Sequence, residues 1–98
     1  MHNKTSEVFF YKLPIEYAIT DTGVIDVTYN KNSIYINTAN INAISISDDN
    51  TNWSIVDTDL KSKSPTGHYI SFIVPMEVTE LVEDLNTHTK KMMYYKSE

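Results

Sequence analysis

The hydrophobic positions of this chain fall into short alternating runs, followed near the end by one run of helical period. Glu7 to Leu13 predicts a first strand, ended by Pro14, which has no N–H to give a ladder. Val8 and Phe10 lie on one side of it and Phe9, Tyr11 and Leu13 on the other. Both faces therefore need cover, inside the fold or against a partner. Ile15 to Thr20 has no decisive period, and Asp21-Thr-Gly23 is turn chemistry. From Val24 to Tyr29, Ile25, Val27 and Tyr29 alternate with Asp26 and Thr28. After the turn Asn30-Lys-Asn32, the chain returns through Ser33 to Asn37 with Ile34 and Ile36 inward and Tyr35 outward. These two runs predict a hairpin.

Ile41, Ile44 and Ile46 are spaced by three and then two, which fits a helical turn or bulge at Ile41 followed by a strand from Asn42 to Ser47. Asp48-Asp-Asn-Thr51 is a polar turn, and Asn52 to Asp57 resumes as a strand with Trp53 and Ile55 on one face. His68 to Val74 alternates again. Past Pro75, Val78, Leu81, Val82 and Leu85 recur at i, i+3, i+4 and i+7, with Glu77, Glu80, Glu83 and Asp84 on the other side. Asn86 can close this helix, although Leu85, His88, Met92 and Tyr95 continue its stripe. The pattern predicts an α+β fold, an antiparallel sheet of five or six strands with one C-terminal helix, from Pro75 onwards, packed on it. Residues 1–98 form a single domain, with 1–6 disordered, 58–67 a mobile loop and 87–98 a helical extension or tail.

Composition narrows the chemistry. At 98 residues, 41% hydrophobic and 21% charged, the chain suits one modest globular core. Cysteine is absent, which removes disulfides and thiolate chemistry and fits a reducing cytoplasm. The N-terminus lacks the apolar segment of a signal peptide, and no run is long enough to span a bilayer, so a cytoplasmic protein without membrane contact is expected. Thirteen acids face eight bases, all of them lysine, for a net charge of −5. Without arginine there are no bidentate forks for phosphate or guanine, so direct nucleic-acid binding is not expected. The richness in Ile, Asn, Lys, Tyr and Thr matches an AT-rich genome, as in low-GC bacteria and their phages.

The order from Val24 to Asn86 is a short strand, a polar turn, Ile41-x-x-Ile44, a hairpin and a strand entering Val74-Pro-Met-Glu-Val-Thr-Glu-Leu-Val-Glu-Asp-Leu85. It resembles the small flagellar FlbD-type proteins, with their strand pair, isoleucine-rich turn, strand and closing V-x-E-S-V-E-E-L-like helix, and similarly built small phage proteins. The N-terminal strand, the long loop before His68 and Pro75 depart from that pattern. The resemblance implies architecture only and brings no catalytic residues.

Candidate chemistries are sparse. His2, His68 and His88 lack the spacing and companions of a metal site. Ser45, Ser47, Ser54 and Ser71 lack a nucleophile elbow, and Gly23 and Gly67 make no phosphate-cradling loop. No enzyme activity, cofactor or metal is expected. Two acidic zones stand out, Asp48, Asp49, Asp57 and Asp59 on or beside one hairpin and Glu77, Glu80, Glu83 and Asp84 on the helix. They fit a solvated exterior or a negative surface for a basic partner. Trp53, Met92, Tyr94 and Tyr95 are of types enriched at protein contacts. The Met92–Tyr95 run is too apolar for a free terminus and needs cover in cis or in trans. The expected function is a non-enzymatic protein-binding module, with homodimerisation through the first strand or the tail as one form of it. An acidic inhibitor mimicking nucleic acid on a host nuclease or defence protein is the second reading. A binder of a small anionic metabolite or signalling nucleotide, needing lysines converged on a pocket, is the third.

Overall fold

A computed structural model describes the backbone of residues 3–63 and 66–97 and the side chains of residues 7–63 and 66–92. It is an α+β fold in which all strand pairs are antiparallel. The strands are β1 (Asn3–Pro14), β2 (Tyr17–Thr20), β3 (Ile25–Asp26), β4 (Ser33–Asn37), β5 (Ile41–Ile46), β6 (Ser54–Lys63), β7 (Thr66–Val74) and β8 (Lys90–Ser97), with helix α1 (Val78–His88) between β7 and β8. They form two sheets, in the orders β4-β1-β8 and β3-β2-β7-β6-β5, and not the single sheet of five or six strands that the pattern predicts. The reason lies at Pro14. It ends β1, Ile15 is buried at the corner, and the Glu16 N–H donates to the Ile73 carbonyl at 2.8 Å, so one stretch of chain serves both sheets.

The sheets share one core. Tyr11, Leu13 and Ile36 from the smaller sheet meet Ala18, Val56, Ile70, Phe72 and Val74 from the larger, and Leu81 of α1 joins them. Phe72 and Leu81 are wholly buried, each contributing about 2–3 kcal/mol by area removed from water. The Tyr29 ring meets Phe72 edge-on at 5.2 Å. Of the predicted helical stripe, Leu81 is buried and Val78 and Leu85 are half-buried, while Val82 stays 41% exposed at its margin.

Five local expectations give way. The hairpin of Val24–Tyr29 with Ser33–Asn37 does not form. β3 pairs with β2, Val27–Tyr29 is a 3-10 turn, and β4 pairs with β1. Asp26 causes this by pointing inward, 1% exposed, leaving Ile25 and Val27 outside. Residues 58–67, expected as a mobile loop, instead extend β6 to Lys63 and begin β7 at Thr66. Thr58 and Ser62 are buried on the strand, and Thr58 Oγ1 donates to the Ile70 carbonyl at 2.7 Å. Residues 64–65 of that segment lie outside the described residues. The helix begins at Val78, not Pro75, because the Met76 N–H turns back to the Val74 carbonyl and the Met76 carbonyl accepts from Ser54 Oγ at 2.6 Å. It ends at His88. Thr89 turns extended, and positions 90–97 pair with 3–10 as a strand instead of prolonging the helix. The same pairing takes positions 3–6, expected outside the fold, into β1, while positions 1–2 lie outside the described residues.

β8 covers only the N-terminal part of β1, and β4 only the C-terminal part, with Phe10 opposite both Asn37 and Lys90. The molecule is accordingly long, 52 × 32 × 20 Å, with a radius of gyration of 14.9 Å against about 13 Å for a compact chain of this length.

Candidate binding face

Strand alternation divides the smaller sheet cleanly. Tyr11, Leu13 and Ile36 face the core, so Val8, Phe10 and Lys12 of β1, Tyr35 and Asn37 of β4, and Lys90 and Met92 of β8 share the opposite face. Lys12 stands directly opposite Tyr35, and Lys90 directly opposite Phe10. Tyr35 is 71% and Met92 56% exposed; Lys12 and Lys90 are exposed and Phe10 is half-buried. By register, Lys4 and Lys96 are partners farther along the same alternation. Among the described residues no acid of the three strands falls on this alternation, and Asp84 of α1 borders the groove beside it. Glu7, the one acid of the three strands, falls on the other alternation, where its carboxylate lies 3.6 Å from Lys91 Nζ. Neither Lys12 nor Lys90 has an ion-pair partner among the described residues.

Charge is therefore segregated within an acidic protein. β1, β4 and β8 carry five lysines and one acid, while the rest of the chain carries three lysines and twelve acids, +4 against −9. A groove of about 410 Å³ opens beside this face, lined by its Phe10, Lys12, Tyr35, Lys90 and Met92 together with Tyr11 and Lys91 of the other alternation and Asp84 and His88 of α1.

The α1 side of the groove is a joint between helix and sheet. The i, i+4 spacing sets Asp84 and His88 on one side of α1. Asp84 Oδ2 accepts from the Tyr11 hydroxyl at 2.5 Å, and Asp84 Oδ1 lies 2.8 Å from His88 Nδ1. Burial, the hydrogen bond to Asp84 and the charges of Asp84 and Glu80 all push the Tyr11 pKa up. Tyr11 is thereby kept as a neutral donor, which suits a clamp and opposes use as a phenolate nucleophile.

The acidic positions singled out from sequence are placed apart. Asp48 and Asp49 occupy the exposed β5–β6 turn, with Asp49 against Tyr17, whose pKa is raised first by burial and then by Asp49. Trp53 is half-buried at the end of that turn. Asp57 and Asp59 lie farther along β6, two positions apart, and each has a partner. Asp57 accepts from Ser71 Oγ at 2.6 Å and Asp59 from Asn40 Nδ2 at 3.0 Å. With Asp21 they border a second cleft of about 600 Å³. Glu77, Glu80 and Glu83 are exposed on α1, whereas Asp84 is drawn into the joint with Tyr11. Met92 belongs to the basic face; the side chains of Tyr94 and Tyr95 lie outside the described residues.

Sequence reading missed Phe10, Lys12, Tyr35 and Lys90 as a group. Their one local signal is alternation, Val8-x-Phe10-x-Lys12 and Lys90-x-Met92, in two segments whose pairing spans almost the whole chain. Among the described residues no three metal-ligating side chains converge, and no helix is long and apolar enough to cross a membrane. Compared with protein-family models, curated proteins and solved structures, the chain matches none.

Proposed function

We propose that this chain is a non-catalytic binding module that takes an extended, negatively charged partner on the outer face of β4-β1-β8. The supporting observation is the coincidence of Lys12 and Lys90, without ion-pair partners among the described residues, with exposed Tyr35 and Met92 on an alternation to which the three strands contribute no described acid, Asp84 of α1 standing at its border. Elsewhere on the molecule the field is negative, so an anionic partner is steered to this face and away from the others. Tyr and Met, types enriched at recognition surfaces, supply contact area next to the lysine charge.

The test is an amide NMR titration with inorganic polyphosphate at low salt. Expected are shifts concentrated at Phe10–Lys12, Tyr35 and Lys90–Met92, collapsing as salt is raised. Shifts centred on β6 and β7, or none, would end the reading.

The acidic surface as a nucleic-acid mimic is a second reading, favoured by the joint exposure of Glu77, Glu80 and Glu83 on α1. It is the weaker one, because Asp57, Asp59 and Asp84 already accept hydrogen bonds within the chain.

A further inference from the structure

Resting on that reading, we propose that the partner is single-stranded nucleic acid, its bases stacked on Tyr35 and Phe10 and its phosphates held by Lys12 and Lys90. Cations and rings are interleaved here at the register level. Lys12 faces Tyr35 and Lys90 faces Phe10, and the two pairs are one alternation apart along β1, about 7 Å. An extended nucleotide chain presents the same alternation of π-face and phosphate, and such platforms bind by stacking plus a cationic track. The sheet surface has no protruding helix or loop among these residues to enter a duplex groove, whereas unpaired bases lie flat on it.

The absence of arginine fixes the kind of recognition. Lysine is a point charge that answers phosphate without reading bases, and guanine forks are missing, so binding is tolerant of sequence. The −9 carried outside the three strands leaves one face for the polyanion, which sets its position where a uniformly basic protein would not. The groove at the same place accepts one nucleotide-sized group, and the two lysine–aromatic pairs beside it offer places to more than one, which favours a strand over a free mononucleotide.

The experiment is fluorescence anisotropy with a labelled oligothymidylate of about a dozen nucleotides, across about 50 to 200 mM salt. Thymidine monophosphate, a duplex of equal length and polyphosphate serve as competitors. The oligonucleotide is expected to bind more tightly than all three, and to weaken as salt rises. Tyr35→Ala is expected to weaken it about tenfold with an unchanged salt slope. Lys12→Gln and Lys90→Gln each flatten the slope by about 0.7, and Lys61→Gln on the other sheet leaves it unchanged. These four side chains are exposed, so each variant is expected to keep the wild-type thermal melt. Polyphosphate shifting the face amides while the oligonucleotide does not bind would sink the nucleic-acid assignment and leave the anionic face standing. Equal affinity for polyphosphate and oligonucleotide with Tyr35→Ala inert, or preference for the duplex or the monophosphate, would sink it too. No response to either polymer would remove both readings.

Discussion

On the outer face of the larger sheet, polar groups answer one another. Asp57 takes the Ser71 hydroxyl, Lys61 Nζ lies 4.5 Å above the Tyr69 ring and Tyr17 rests against Asp49, while at the start of β7 His68 Nδ1 sits 3.0 Å from Asp21. On the outer face of the smaller sheet, Lys12, Lys90 and Tyr35 are exposed, with no such partners among the described residues. The interior repeats the contrast. Ser54, Thr58, Ser62 and Asp26 are buried, hydrogen-bonded polar groups in or beside the larger sheet, while the described residues that the smaller one sends into the core, Tyr11, Leu13 and Ile36 with Ile34 at its margin, are hydrophobic. A polar group with an internal partner contributes to holding the fold; one without is available to a ligand. Stability should therefore reside in the larger sheet and binding in the smaller.

The strongest way to test that division is Asp26. Its carboxylate accepts from the Ser62 hydroxyl at 2.5 Å and from the Thr28 N–H at 3.1 Å, tying the chain after β2 to the end of β6. Burial by itself pushes its pKa up. Hydrogen bonds from Ser62, Thr28 and the Lys63 backbone together outweigh burial and leave it below the ordinary carboxylate value. Asp26→Ala strands these donors and is expected to cost about 3 kcal/mol in urea unfolding. Because the folded pKa is depressed, the stabilisation is present above the unfolded carboxylate value, about pH 4, and is lost as pH falls through the folded pKa. Asp26→Asn should thus flatten the acid limb of the stability curve. A wild-type acid limb retained in full would assign it to other carboxylates.

Ser54→Ala comes next, at about 1–2 kcal/mol. It removes the donor to the Met76 carbonyl, the contact that delays the helix start from Pro75 to Val78. Unfolding midpoints measure the cost, and faster exchange of the Leu81 amide, which donates to the Glu77 carbonyl at 2.8 Å, would locate it at the helix N-terminus.

What the sequence disclosed and withheld follows the same line. Ile34 and Ile36 inward with Tyr35 outward, the irregularity at Ile41, and Leu81 as the buried point of a helix are all period arguments, and the structure agrees with them. Asp26 defeated the alternation because its burial depends on Ser62, 36 positions away, and a carboxylate's partners leave no mark on local period. The Ser, Lys, Pro and Gly content of 58–67 reads as a loop, and that Thr58 and Ser62 are buried strand residues shows only in where their hydroxyls end. The basic face was illegible for another cause. Lysines at the two ends of the chain converge only once β8 pairs with β1, and the stripe Leu85, His88, Met92, Tyr95 offered a helix that ladder hydrogen bonds outbid. Net charge, a sum over the chain, concealed the segregation.

Tyr11→Phe tests the joint between the two regions and is expected to cost about 1 kcal/mol at neutral pH by leaving Asp84 without that donor. The raised Tyr11 pKa means this contribution is present below the ordinary tyrosine value, about pH 10, and is lost as pH rises above it. The variant should accordingly lose less stability than wild type at alkaline pH, in denaturation curves recorded on both sides of that value. Equal losses would move the alkaline sensitivity to Tyr17, the other tyrosine held above its usual range among the described residues.

The smallest expected effects carry the comparison furthest. Lys12→Gln and Lys90→Gln, in the free protein, should each change unfolding free energy by less than about 0.5 kcal/mol, since neither side chain has an ion-pair partner to lose. Relief of repulsion within a sheet carrying +4 argues for a slight gain. Differential scanning calorimetry at low salt resolves the sign. A loss above about 1 kcal/mol would show that the fold itself holds these lysines. The smaller sheet would then be a second structural sheet whose charges are spoken for, and the reason for placing a ligand on it would go with them.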